Sequence, residues 1–578
     1  MRCFVWTVLG ACAGPLPSGP FSEPPDGTSG GSIPTLPTEP GGGTVPEETT
    51  PPEPTPTGTT PTGTTTGGTT TGGTTTGGTT TGGTTPGGEV AGYPVRSAYQ
   101  LKAIQPDFWA DKDEISGNLA GGVGMNLVWA AWEPTVVAPP CDPLTQVDYD
   151  GHCFTTDVAT DDAIADWHAR GLLVTAIVYG TPAWAAVSPC SPLAAGYEIF
   201  CAPENAFDYA RFVGMIAERY NGLNGRGRIA DFVIQNEVNS NSWFDIGCGE
   251  GLGACDVGAW ATAYADVYNQ AFDAIVAAQP EARAYISLEH HFDEQWDLPA
   301  DLHPLVGGQT FLTTLVPLLG DRVWRIAHHP YAPNLFSTVF SADDYRDEGK
   351  VTYGSVGVLS GWIAQQYPGH PAALSIHLTE SGLHGGDEAA QDAALCDSFR
   401  NILGTPGIEN HIYHRMVDNA AEGGLLLGLR RLDGSARPSW ATWALANRWD
   451  VGLLSCGFED IPFTRLTRSY SPARGHWSST RLAPPGFSSE STYLLSRDLI
   501  VGGSLLYECL VGDGDMLTTD PSCEGQEPLG PVGWTWPDPT AGTIPLYRCI
   551  TDGDHFISPD SGCEGQVTES LLGWVFAG

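Results

Sequence analysis

Asp231-Phe232-Val233-Ile234-Gln235-Asn236-Glu237 decides how this chain reads. Phe, Val and Ile in succession, bounded by polar residues, fit a short strand buried in a sheet. The strand is expected over 229–235, and it delivers Asn236 and Glu237 at its C-terminal end. Working outward, similar runs recur at 126–132, 173–178, 284–288, 323–327, 373–378 and 412–417, with an earlier one near 95–104. Helical patterns lie between them. In 206–221, Tyr209, Phe212, Val213, Ile216, Ala217 and Tyr220 share one face; a second helix carries Trp260, Tyr264, Val267, Ala271 and Ile275 and ends before Pro280. Eight strands alternating with helices give an α/β fold, a (β/α)8 TIM barrel over residues 89–467.

Barrel active sites form where strands end at the C-terminal face. The run Ala373-Leu374-Ser375-Ile376-His377-Leu378-Thr379-Glu380 brings a second glutamate to such an end. With Glu237 on strand four and Glu380 on strand seven, two carboxyls face each other across the mouth. Cleavage of a glycosidic bond needs such a pair. At roughly 5–5.5 Å one carboxyl attacks the anomeric carbon while the other protonates the leaving oxygen, and configuration is retained. Glu237 and Glu380 are the candidate catalytic residues.

The motifs resemble those of clan-A glycoside hydrolases, such as families 5 and 39, over about residues 93–448. Gly180-Thr181-Pro182-Ala183-Trp184-Ala185 looks like the turn after strand three. Asn236-Glu237 looks like the strand-four Asn-Glu, His329-Pro330-Tyr331 like the strand-six segment, and Thr379-Glu380-Ser381-Gly382 like strand seven. Gly121-Gly122-Val123 to Trp132-Glu133-Pro134, Ser287-Leu288-Glu289-His290-His291 and Ala327-His328-His329-Pro330-Tyr331 are similar to an uncharacterised bacterial branch of that clan. The resemblance implies that Glu237 is the acid/base and Glu380 the nucleophile. Two features depart from it. Met416-Val417-Asp418-Asn419 stands where many members carry a strand-eight tryptophan platform, and strand two has no clear arginine.

Supporting roles follow from chemistry. Asn236 can hydrogen-bond a sugar 2-hydroxyl. Tyr331 can donate to Glu380 and favour its ionised form. Glu237 needs an apolar or like-charged setting to keep its proton near neutrality. His329 can orient either carboxyl, and His290 is a further candidate for substrate contact. Trp132, Trp184 and Trp243 are candidates for stacking on sugar faces, with core packing as the other reading of each. Glu133 and Glu289 read as bystanders.

The chain has 578 residues and a formal charge of -41, from 26 Lys+Arg against 67 Asp+Glu. That balance argues against nucleic acid and anionic membrane surfaces, which need basic patches. A carbohydrate is the expected partner, the protein a monomer, and no cofactor is implied. Setting aside Cys3 and Cys12, 12 of the 14 cysteines remain. Five pairs are neighbours in sequence: Cys141 with Cys153, Cys190 with Cys201, Cys248 with Cys255, Cys509 with Cys523, and Cys549 with Cys563. That leaves Cys396 and Cys456. Even-numbered, short-range cysteines suit disulfides formed after export. With no CxxC pair and no HExxH, a zinc site is not expected.

Residues 1–12 read as a lipoprotein-type signal: Arg2, an apolar stretch, then Leu9-Gly10-Ala11-Cys12, which resembles a bacterial lipobox with Cys12 as the lipidated residue. Residues 13–88 are Pro, Thr, Gly and Glu, with tandem TTTGG, and form a disordered linker unable to offset its ordering entropy. An exported protein, either secreted or held at the cell surface or outer membrane by lipid alone, is expected.

After 467 comes a small all-β module, 468–578. Leu506-Tyr507-Glu508-Cys509 and Leu546-Tyr547-Arg548-Cys549 open two copies of one pattern 40 residues apart, each closing on Gly-Trp, Gly533-Trp534 and Gly573-Trp574. A weaker copy without cysteines runs from Gly475 to Leu495. Three such units must share a core, as in a β-trefoil. Tyr507, Trp534, Tyr547, His555, Phe556 and Trp574 read as that core, or else as lectin platforms. Asp-Gly-Asp at 513–515 and 552–554 reads as turn chemistry rather than a calcium loop. Two functions remain: an exported retaining glycosidase acting on a poly- or oligosaccharide, or a surface-anchored carbohydrate-binding or adhesive protein whose barrel is silent.

Overall fold

The computed structural model describes residues 92–578 apart from 95, 97–99, 107–111, 191–197, 250–251, 294–304, 447–455, 457–459 and 461. The expected signal with Cys12, the linker at 13–88 and part of the earliest expected strand lie outside the described residues.

Eight strands close into a barrel: β1 (Lys102–Ile104), β2 (Gly122–Val128), β3 (Leu173–Tyr179), β4 (Asp231–Ile234), β5 (Arg283–Leu288), β6 (Arg325–His328), β7 (Ile376–Ser381) and β8 (Ile408–Tyr413). All neighbours run parallel. The expected α/β barrel is therefore the observed one, with several strand edges shifted. β2 starts at Gly122, and 129–132 is a helical turn. Gly122 and Gly124 hide the strand from a hydrophobicity reading. A Cβ on Gly122 would come to 2.8 Å of the Leu173 carbonyl, and one on Gly124 to 2.7 Å of Ile412. β8 ends at Tyr413, short of the expected 417, and includes Asn410 and His411. These polar residues are buried because they have partners: His411 Nε2 meets the Tyr353 hydroxyl at 2.9 Å. β7 starts after a short turn at 371–374.

Helices α1 (Ala206–Arg219) and α2 (Val257–Ala278) flank the site-bearing β4. Asn205 caps α1 by accepting from Phe207 N at 3.1 Å; Asp256 caps α2 by accepting from Ala259 N at 2.7 Å. Each helix also sends a tyrosine to a strand end. Tyr209 donates to the Val178 carbonyl at 2.5 Å and Tyr264 to the Ile234 carbonyl at 2.9 Å. Further along the chain come α3 (Gly357–Gln366) and α4 (Glu388–Leu403).

The C-terminal region is antiparallel and all-β, with three strands per repeat rather than a trefoil unit. The first repeat has β9 (Phe463–Ser471), β10 (Gly475–Ser479) and β11 (Ser488–Ser496); the second has β12 (Ser504–Val511), β13 (Gly514–Thr518) and β14 (Glu527–Thr535); the third has β15 (Thr543–Thr551), β16 (Asp554–Ser558) and β17 (Val567–Ala577). Leu466, Leu506, Leu546, Leu495, Val532 and Leu572 meet in one shared core. Of the aromatic residues expected there, Tyr507 instead packs with Cys509 and Cys523, and Tyr547 and Phe556 with Cys549 and Cys563, in separate clusters around the two disulfides. Arg468 and Arg548 occupy equivalent places, opposite Ser491 and Ser570, and each pairs with two carboxylates. Arg468 reaches Glu490 at 2.9 Å and Glu564 at 2.7 Å; Arg548 reaches Glu569 at 2.9 Å and Glu524 at 2.6 Å. The second repeat reverses the charge: Glu508, opposite Gly530, pairs with buried Arg481. This repeat lies against α3. A Cβ on Gly357 would come to 2.5 Å of the Leu529 carbonyl, and one on Gly361 to 2.9 Å of Gly530 Cα, so small residues permit the approach.

Six disulfides are formed. Cys141 is bonded to Cys153, Cys190 to Cys201 and Cys248 to Cys255 in the barrel loops. Cys509 is bonded to Cys523 and Cys549 to Cys563 in the repeats. These are the five sequence-neighbour pairs, and the sixth bond joins the two remaining cysteines, Cys396 and Cys456. Among the described residues no helix is long and apolar enough to cross a membrane.

Candidate active site

β4 ends at Ile234 and the chain turns sharply. Gln235 and Glu237 both have positive φ, 60° and 40°. Non-glycine residues adopt this region at a cost, and such strain collects at functional sites. Neighbouring strands hold the turn: Gln235 N donates to the Val178 carbonyl at 2.9 Å, Glu237 N to Ser287 Oγ at 3.0 Å and Val238 N to the Ser287 carbonyl at 3.0 Å. Glu380 sits within β7. Gly382 follows because strand eight presses on it: a Cβ there would lie 1.9 Å from the His414 carbonyl.

Glu237, His329 and Glu380 come together, with one donor atom from each lying within 4.8 Å of the others. Glu237 and Glu380 are 3% and 5% exposed. His329 Nδ1 meets Glu237 Oε1 at 2.8 Å, and its Nε2 meets Thr379 Oγ1 at 3.1 Å. Tyr331 donates to Glu380 Oε1 at 3.1 Å. Burial pushes Glu237 up to about 7; the His329 hydrogen bond opposes the rise, and the nearby charges of Glu380 and Glu289 add to it. Burial alone would lower His329, yet its bond to Glu237 and the surrounding carboxylates carry it above its ordinary value. A proton is therefore available between Glu237 and His329 near neutrality.

Asn236 is buried, and its Oδ1 has no partner among the described residues. Behind Glu237 lies Glu289, whose Oε1 accepts from Asn239 Nδ2 and His291 N, both at 2.9 Å. Its Oε2 meets His291 Nδ1 at 2.5 Å. Against the raising effect of burial, His291 holds Glu289 down at about 2. His290 stacks beside His291 with centroids 4.5 Å apart, and burial drives it down to about 3, so it is a neutral imidazole. Glu289, His290 and His291 form a second group with donors close enough to gather about a cation, as do Glu237, His329 and Glu380. In the latter group each donor residue already has a protein partner.

The tryptophans pack chiefly with other aromatic rings. Trp132 lies 6.2 Å from Phe212, Trp184 stands edge-on to Trp129 at 5.5 Å and donates to the Glu133 carbonyl, and Trp243 meets Phe200 at 4.7 Å. Glu133 accepts from Trp129 Nε1 and meets His152, a structural role. At the strand-eight end, Asp418 is held by Arg437 through two contacts of 2.9 and 2.7 Å. Sequence reasoning missed Thr379, Ser287 and Asn239 because their contacts join residues about 50 positions apart. It also missed His414, whose N donates to the Ser381 carbonyl on β7 at 2.8 Å.

The sequence profile of the family of unknown function DUF5722 matches residues 139–449. No curated protein matches. Solved structures similar to this chain include a family 39 glycoside hydrolase from Bacteroides cellulosilyticus WH2 (TM-score 0.40, 12% identity, 82% of this chain and 80% of that one). A GH39 enzyme from Xanthomonas axonopodis pv. citri gives TM-score 0.41 and 15% identity over 61% of this chain and 67% of that one. A monomeric β-xylosidase from Caulobacter crescentus CB15 gives 0.42 and 16% over 62% and 69%.

Proposed function

The chain belongs to DUF5722, a family of unknown function, and from that premise we propose that its barrel is a retaining glycoside hydrolase acting on a poly- or oligosaccharide. One observation carries the reading: an oxygen of Glu237 and an oxygen of Glu380 lie within 4.8 Å at the ends of β4 and β7. That spacing fits direct attack by one carboxyl, as in a retaining pair.

In the first step Glu380 attacks the anomeric carbon. The bond to the leaving oxygen breaks as Glu237 gives that oxygen its proton. A covalent glycosyl–Glu380 ester results. Glu237, now ionised, takes a proton from water, whose oxygen attacks the same carbon and releases Glu380. Two inversions give net retention. A carboxyl near 7 suits both halves, since it can give and take a proton close to neutral pH. Tyr331 keeps Glu380 oriented.

The six disulfides favour an exported protein. We further propose that Cys12 is lipidated and that the Thr/Gly/Pro stretch tethers the enzyme. The test is Glu380→Ala assayed on 4-nitrophenyl glycosides. The variant is expected to lose hydrolysis and to regain turnover with azide, giving a glycosyl azide of inverted configuration. Full activity in Glu380→Ala would overturn the reading, and glycan binding without turnover in the wild type would favour a silent barrel.

A further inference from the structure

Beyond β8 lies a third carboxyl that the two-step reaction does not use. Glu422 has no exposed surface. Its Oε1 accepts from Arg415 Nη1 at 3.0 Å and lies 3.4 Å from His414 Nε2. Its Oε2 is buried with no partner among the described residues, and so is the side-chain amide nitrogen of Asn419. The group belongs to the barrel mouth. His414 N donates to the Ser381 carbonyl at 2.8 Å, one residue beyond Glu380 on the adjacent strand. The His414 ring meets Gln105 Oε1 at 2.5 Å and so links the ends of β8 and β1. Leu425 and Leu427, on the Glu422 loop, pack against Tyr331. After burial and the two site glutamates, Glu422 also helps raise the Tyr331 hydroxyl.

Buried acceptors without donors are rare, and an unmet one beside a binding site points to a donor on the ligand. We propose that Glu422, held by Arg415 and His414, is a substrate-binding residue that accepts a hydrogen bond from a hydroxyl of a neutral sugar. The proposal rests on the glycosidase reading and narrows it. A carboxylate oxygen only accepts, so the group it meets must donate. A uronate or sulfate ester at this position would meet like charge. Recognition at the strand-eight end is thus by hydrogen bond, in the place where a stacking tryptophan was absent from the sequence.

The experiment uses the full chain with 4-nitrophenyl glycosides of neutral sugars and, for the sugar accepted, its monodeoxy analogues. Melting curves check that Glu422→Ala and Glu422→Gln are folded. In the wild type, loss of one particular hydroxyl is expected to cost about tenfold or more in kcat/KM, because a site built for a hydroxyl is left unpaired without it. In Glu422→Ala that cost is expected to shrink to about onefold for that hydroxyl alone, with the other deoxy penalties kept. If no deoxy penalty depends on Glu422, the inference is overturned while wild-type turnover still supports the glycosidase reading. If the wild type turns over nothing, that reading fails. Calorimetric binding of the same glycosides then decides the inference, and equal affinity, or none, in wild type and Glu422→Ala overturns it.

Discussion

The phenolic hydroxyl of Tyr331 donates to Oε1 of Glu380 across 3.1 Å, and both groups are buried. It links the loop after β6 to β7 at the point where a covalent bond would form. A hydrogen bond to a charged group is worth about 1.5–3 kcal/mol. Tyr331→Phe is therefore expected to lower kcat/KM about ten- to hundredfold with the fold intact. Steady-state kinetics on an activated glycoside measures this, and an unchanged rate would remove Tyr331 from the reaction.

In the proposed reaction Glu237 carries its proton into the first step. With its pKa pushed up to about 7 by burial, kcat/KM is expected to fall as pH rises through about 7. His329 opposes that rise through its 2.8 Å contact. His329→Ala removes an interaction that favours the ionised form, so the alkaline limb moves to higher pH. A pH–rate profile reads this directly; a limb that stays in place or moves down contradicts the pairing.

Cys396–Cys456 closes the longest loop, with a sequence separation of 60, and ties α4 to the stretch that follows the barrel. Loop-closure entropy makes such a link worth about 4 kcal/mol, against roughly 2–2.5 for the seven-residue separation of Cys248–Cys255. Serine at both 396 and 456 is expected to lower the denaturation midpoint more than serine at both 248 and 255. Equal midpoints would count against the entropic account.

Arg481 and Glu508 form an ion pair with side chains 4% and 2% exposed. Removing one partner leaves a buried charge and costs about 3–5 kcal/mol, whereas replacing both with apolar residues of similar volume is nearly neutral. Arg481→Met is expected to lower the melting temperature, and Arg481→Met with Glu508→Leu to restore most of it. A double variant as unstable as the single would contradict this.

The barrel was legible because parallel strands are buried on both faces and read as short apolar runs. Where a strand is built differently the reading slipped. β2 depends on Gly122 and Gly124, and β8 on the buried Asn410 and His411, whose partners come from distant parts of the chain. Glu237 and Glu380 were legible as strand-terminal motifs. Their environment was not: Asn239 and Ser287 join the site only through folding. The cysteine neighbours were legible by spacing, whereas the three-strand form of the repeats follows from pairing that no local pattern encodes.

The reversed pair at Glu508 has a rotational consequence. A module of three near-equal repeats has three ways to seat on one helix. Turning it by one repeat would set Ser570 or Ser491 where Gly530 now meets Gly357, and Glu569 or Glu490 where Leu529 lies. The added side chain would collide with backbone, since a Cβ at position 530 comes to 2.1 Å of the Gly357 carbonyl. The second repeat is thus the one of the three whose glycine lets it seat on α3. Its angle is what sets Arg474 against Asp343, at 3.0 Å, on the loop that begins with His329 and Tyr331. The module is indexed to the barrel mouth rather than merely appended to the barrel.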